Sequence, residues 1–124
     1  MGIRNLDTKA RILVVNGMEK WRDKTTSNLK YHGFKNIFYA SSLEKGLEIY
    51  DKESPELVIT DINLPEDLEG LTLIKEIKNR NPFKTIIAMS SMNDDIKKKA
   101  LDCGADDFIQ KSYLKEEFNR IATQ

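Results

Sequence analysis

Asp61 closes a short apolar run, Leu57-Val58-Ile59-Thr60, and turn signals follow it at Pro65 and Gly70. A four-residue apolar run bounded by turn residues reads as a buried strand, too short for a helix. A carboxylate at the end of such a strand sits at the rim of a sheet, where open α/β folds place their chemistry. Asp also ends strands and caps helices with no chemical role, so the stretch alone leaves both readings open. Two other apolar runs end in groups of complementary chemistry. Thr85–Met89 runs into the hydroxyl of Ser90, and Phe108-Ile109 leads to the ammonium of Lys111.

These three groups meet only if the intervening elements bring their strands together. Arg11–Val15 is a β-branched run ending at Asn16-Gly17, the first buried strand. Met18, Trp21, Thr25 and Leu29 follow at helical spacing, which marks Trp21 as a packing residue, and Gly33 supplies a left-handed cap after His32. Asn36–Ala40 is short and β-rich though it alternates poorly. Ser41-Ser42 then offers an N-cap to a helix that ends near Ser54-Pro55. Gly70 opens a third helix with Leu71, Leu73, Ile74 and Ile77 on its face, stopped by Asn81-Pro82. Asn93-Asp94 caps a fourth that Gly104 closes, and Leu114, Phe118 and Ile121 line a fifth.

Five apolar strands alternating with five helices imply a parallel sheet covered on both faces. Right-handed crossovers leave few topologies, of which the smallest doubly wound one is the flavodoxin-like order 2-1-3-4-5. That order makes the first and third strands neighbours, so Asn16-Gly17 and Asp61 end side by side, with Ser90 and Lys111 on the strands beyond.

The 124 residues argue for one domain over 1–124, with a core from about 10 to 122 and an unpacked polar lead-in over residues 1–9. Twenty basic residues balance twenty acidic ones, which removes any global pull toward nucleic acid or anionic membranes. No apolar stretch approaches the roughly 18 residues of a membrane span, and the N-terminus has no secretory core. The expected setting is cytoplasmic. One cysteine, Cys103, and one histidine, His32, exclude a disulfide framework and a Cys/His zinc site, and both read as structural. Lys97-Lys98-Lys99 reads as a solvated helix face.

The motifs RILVVNG, LVITDINLPEDLEG, TIIAMSS and GADDFIQKS, in this order over nearly the whole chain, resemble the receiver domain of two-component response regulators. The resemblance implies that Asp61 accepts a phosphoryl group from a sensor histidine kinase or phosphotransfer protein. It implies that Lys111 pairs with the phosphate and Ser90 hydrogen-bonds it. Phe108 occupies the aromatic switch position. The partner-binding surface is then the fourth helix, fifth strand and fifth helix, with no direct nucleic-acid or membrane contact. A regulatory module, not an enzyme with a separate substrate, is expected.

The family also implies Mg²⁺, held by Asp61 and the backbone carbonyl of Asn63, with Asn16 orienting a bound water. Receivers carry an acidic pair where this chain has Asn16-Gly17. Removing two negative charges beside Asp61 makes the expected Mg²⁺ site weak or absent, unless Glu19, Glu66 or Asp67 compensates. The loop from Pro65 to Gly70 is one residue longer than the family's, and Ser112 replaces a proline that usually follows the lysine. The alternative is a pseudo-receiver, an interaction module that works without phosphate. A flavodoxin-like cofactor enzyme is disfavoured, because Asn16-Gly17-Met18-Glu19 has an acid where a phosphate would sit. No output domain follows Thr123-Gln124, which leaves a stand-alone regulator or one domain of a longer protein.

Overall fold

Each of the five apolar runs forms a strand in the computed structural model, which describes residues 3, 6–64, 68–91 and 94–123. The elements alternate: β1 (Arg11–Val15), α1 (Glu19–Tyr31), β2 (Asn36–Ala40), α2 (Leu43–Glu53), β3 (Leu57–Asp61), α3 (Glu69–Arg80), β4 (Thr85–Ser90), α4 (Asp94–Asp102), β5 (Asp107–Gln110), a 3₁₀ turn (Lys111–Tyr113) and α5 (Leu114–Thr123). All strands are parallel and lie in the order β2-β1-β3-β4-β5. This is the flavodoxin-like order expected of the sequence.

The unbroken apolar runs follow from burial on both faces, since alternate side chains point to opposite sides of a sheet. Leu13, Val15, Val58, Ile86, Ala88 and Phe108 pack under α2, α3 and α4 with Tyr50, Leu73, Ile74, Ile77 and Ala100. Ile12, Val14, Leu57, Ile59, Ile87, Met89 and Ile109 pack on the other side with Leu29, Phe118 and Ile121 of α1 and α5. β2 alternates poorly because it is the edge strand, and Tyr39 stays exposed.

The helix punctuation is physical. The Ser42 hydroxyl accepts the Lys45 N–H at 3.2 Å, satisfying one of the free donors at the start of α2. Gly33 takes a positive φ of 95° just past α1, where a side chain would be strained. No described helix is long and apolar enough to cross a membrane.

Three expectations are corrected. The lead-in is not unpacked: Ile3 is fully buried, its N–H donates to the Ile121 carbonyl, and Leu6 packs on the same cluster. Burying one such side chain is worth roughly 1.5–3 kcal/mol, enough to hold Ile3 against α5. Met18 precedes α1 instead of belonging to its apolar stripe, and it is exposed. The helix after β3 opens at Glu69, with Leu68 as its N-cap in the left-handed region at φ 63°. The turn residue Pro65, the acids Glu66 and Asp67, and the capping residue Asn93 lie outside the described residues.

Candidate functional site

The carboxyl ends of β1, β3 and β5 converge on a cleft of about 230 Å³ lined by Gly17, Met18, Asp61, Asn63 and Lys111. The order of the strands alone produces this convergence. Asp61 ends β3, paired with Met89 of β4, and Val15 pairs with Thr60 just before the β1 strand gives way to Asn16. Lys111 follows β5 in the 3₁₀ turn.

Across the cleft the Lys111 ammonium donates to Asp61 Oδ2 at 2.7 Å. The two side chains are 10% and 6% exposed, so the pair is largely shielded from water. Shielding strengthens the attraction and makes either charge costly without its partner. Ser90 is buried at the end of the neighbouring β4, in the row that continues through Ala88, whose register partner is Phe108. Asp61 continues the opposite row, Leu57 and Ile59. The carboxylate and the hydroxyl thus come from adjacent strands but from rows facing opposite helical layers. Phe108 is buried toward the α2–α4 side.

The β1–α1 turn is held by its own polar groups. Asn16 is buried, and its Oδ1 accepts the Met18 N–H at 3.0 Å, a two-residue side-chain turn. Its backbone carbonyl accepts from Arg22 Nη1 at 2.8 Å. On the other side, Asn63 Oδ1 accepts the Leu68 N–H at 3.2 Å and so fixes the start of α3, whose first residues have no capping side chain of their own.

These donors can be set against the needs of a divalent cation. Mg²⁺ takes six oxygens in near-octahedral array and favours carboxylates. The described residues offer the single carboxylate of Asp61, one of whose oxygens already accepts from Lys111, and beside it Asn63, whose side-chain oxygen accepts from the Leu68 N–H. Asn16 has spent its side-chain oxygen on Met18, Gly17 has none, and Glu19 is exposed on α1 outside the cleft lining. No three or more carboxylate, histidine or cysteine groups lie together in a way that could hold a metal ion among the described residues. This donor set does not fit a tightly held Mg²⁺.

Two neighbours of the cleft were not legible as site residues. Trp21, expected only to pack, is half-buried against the α1–α5 core, and its ring also faces Lys111 Nζ at 5.2 Å from the centroid. Its place in the first turn after a strand that ends at the site is the signal for that role. Gly70 reads as a helix opener, yet its Cα lies against the backbone of Asp61 and Ile62. Farther along β5, Arg120 of α5 pairs with both Asp107 oxygens at 3.0 and 3.1 Å and with Glu117 at 3.0 Å. The hydrogen bonds to Asp107, then Glu117, push its pKa still higher and brace α5 on β5.

The family model for the response regulator receiver domain matches residues 12–122. Over 104 residues the chain is 35% identical to the chemotaxis protein CheY of Bacillus subtilis, covering 83% of this chain and 86% of that protein. It is 32% identical over 101 residues to a cyclic di-GMP phosphodiesterase of Thermotoga maritima, covering 81% of this chain and 26% of that protein. The chain therefore spans only about a quarter of that relative's length. Among solved structures, the receiver domain of NtrX from Brucella abortus matches with a TM-score of 0.81 at 30% identity, over 90% of this chain and 94% of that one.

Proposed function

The chain belongs to the response regulator receiver domain family, a family of regulatory modules in two-component signalling, and on that premise we propose that Asp61 is its phosphoryl acceptor. The observation that carries this reading is the Asp61–Lys111 pair at 2.7 Å in an open cleft at the carboxyl edge of the sheet. A carboxylate oxygen of Asp61 forms a bond to phosphorus as the phosphorus–nitrogen bond to a donor histidine breaks, and the electron pair stays on the imidazole nitrogen. Lys111 supplies the positive charge that lets two anionic groups approach, which is electrostatic stabilisation by a preplaced cation. Ser90 then hydrogen-bonds a phosphoryl oxygen. The partners are a sensor histidine kinase or phosphotransfer protein upstream, and downstream a protein that reads the α4–β5–α5 face, in the cytoplasm.

Support for that output face comes from Ser90 and Phe108, which share a row directed toward α4, and from the Arg120 brace that ties α5 to β5. Beryllofluoride, a phosphoryl mimic, tests the reading when added with Mg²⁺ while the fluorescence of the sole tryptophan, Trp21, is followed. A saturable change that Asp61→Ala abolishes is expected. No change in the native chain would count against it.

A second reading is favoured by the donor set: a module that contacts its partner without phosphate, because Asn16-Gly17 leaves the cleft short of metal ligands. Restoring the acids with Asn16→Asp and Gly17→Asp is expected to tighten Mg²⁺ binding about tenfold or more, since affinity for hard cations follows ligand charge. Isothermal titration of native and restored chains decides it. Equal affinities would sink this second reading.

A further inference from the structure

Lys111 borders two cavities: the Asp61 cleft, and a groove of about 410 Å³ between α1 and α5 that Trp21, Lys24 and Lys115 also line. Trp21 lines the groove, and its ring faces the Lys111 ammonium. Three ammonium groups surround its ring, Lys24 at 5.0 Å, Lys111 at 5.2 Å and Lys20 at 5.7 Å from the centroid. The three are not equivalent. Lys20 and Lys24 are exposed, so water competes for their charge, whereas Lys111 is nearly shielded and its contact with the ring gains most.

We propose that Trp21 is a positioning residue for Lys111, its indole holding the ammonium in the one place from which it reaches Asp61. A lysine carries four rotatable bonds, and a single carboxylate oxygen at its tip leaves most of the stem unconstrained. The hydrogen bond to Asp61 fixes the tip from one side, and the ring meets the same nitrogen from another. The indole itself is anchored, since it packs on the buried α1–α5 cluster at the start of a helix. Lys24, exposed and lining the groove, adds repulsion on that side, which favours Lys111 toward Asp61 and away from the groove. The catalytic part of this inference rests on Asp61 being the acceptor; the geometric part does not.

Two measurements on Trp21→Leu and Trp21→Tyr separate these parts. The first is the NMR shift of the Lys111 side-chain protons next to Nζ. Ring current should move them upfield of the same protons in the exposed Lys97, Lys98 and Lys99; the displacement should vanish in Trp21→Leu and largely persist in Trp21→Tyr. The second is the rate at which phosphoramidate labels Asp61, followed by intact mass. The rate should fall about tenfold in Trp21→Leu, as misplaced charged groups commonly cost, and recover in Trp21→Tyr. A loss from packing alone would show the rate falling equally in both variants with the Lys111 protons undisturbed, and that result overturns the proposal. So does a Trp21→Leu protein with unchanged shift, or with unchanged rate despite a lost shift. If the native chain is not labelled at all, the acceptor reading fails while the proton shift still decides whether Trp21 holds Lys111.

Discussion

Lys111→Met is expected to destabilise the chain by about 2–4 kcal/mol, and adding Asp61→Asn to that variant is expected to restore most of the loss. Removing one partner of a buried ion pair strands the other charge, at a cost typically of about 3–5 kcal/mol. The estimate here is somewhat lower because the pair sits at the rim of a cleft that water enters. Methionine keeps most of the volume but lacks the ammonium that meets Asp61 and the Trp21 ring, so the loss reports charge more than packing. Asparagine in place of Asp61 removes the stranded charge while keeping the shape. Urea unfolding of the wild type, both single variants and the double variant gives the coupling directly. Coupling below about 1 kcal/mol would mean that solvent already screens the pair.

Gly70→Ala is the second large effect, about 3 kcal/mol or more, and for a reason unrelated to charge. A methyl group placed on Gly70 would come within 2.0 Å of the Asp61 carbonyl oxygen, 2.6 Å of Ile62 Cα and 2.7 Å of the Ile62 carbonyl oxygen. All three are backbone atoms, which cannot swing aside as a side-chain end can. The Gly70 N–H also donates to that Ile62 carbonyl at 2.7 Å, so the first turn of α3 is drawn tight against the end of β3. Relief requires α3 or the strand end to move, and the strand end carries Asp61. The variant should therefore lose both stability and any response to beryllofluoride. Gly46→Ala is the control. Its methyl would meet only side chains of Val15 and Leu73, at 3.4 Å or more, inside helix α2. Alanine's helix preference should leave that variant neutral or stabilised by up to about 1 kcal/mol. Thermal unfolding of the two variants side by side checks both expectations, and equal melting temperatures would contradict the close-approach explanation.

The two glycines show where reading the sequence stops short. Gly70 and Gly46 are the same residue in similar apolar surroundings, and only packing distance separates a required glycine from a replaceable one. The fold itself was legible because each buried strand is a short apolar run ended by a turn residue, and because parallel strands with right-handed crossovers admit few orders. Asp61 and Lys111 could be placed on one edge from that order alone. What escaped depends on direction. Asn16 turns its side-chain oxygen back onto Met18, a choice between turn and site that residue type does not make. Trp21 has the spacing of a core residue and uses its second surface for Lys111. Ile3, isolated among polar residues, gives no periodic signal, and it is buried because the end of α5 passes over it.

The departures from the family pattern also bear on mechanism. A receiver with an acidic pair gathers negative charge that a divalent cation must balance, whereas Asp61 here is already balanced by Lys111. The cleft is thus close to electrically neutral among its described residues, which weakens the pull on a cation.

The most direct measurement of the central claim is covalent. The native chain is incubated with phosphoramidate and Mg²⁺, its intact mass is followed, and the modified residue is located by fragmentation after borohydride trapping. Acceptance at Asp61 predicts the gain of one phosphoryl group, located at Asp61 and absent from Asp61→Ala. A native chain that stays unmodified while Asn16→Asp with Gly17→Asp becomes labelled would contradict it, and would assign the chain to phosphate-independent contact with its partner.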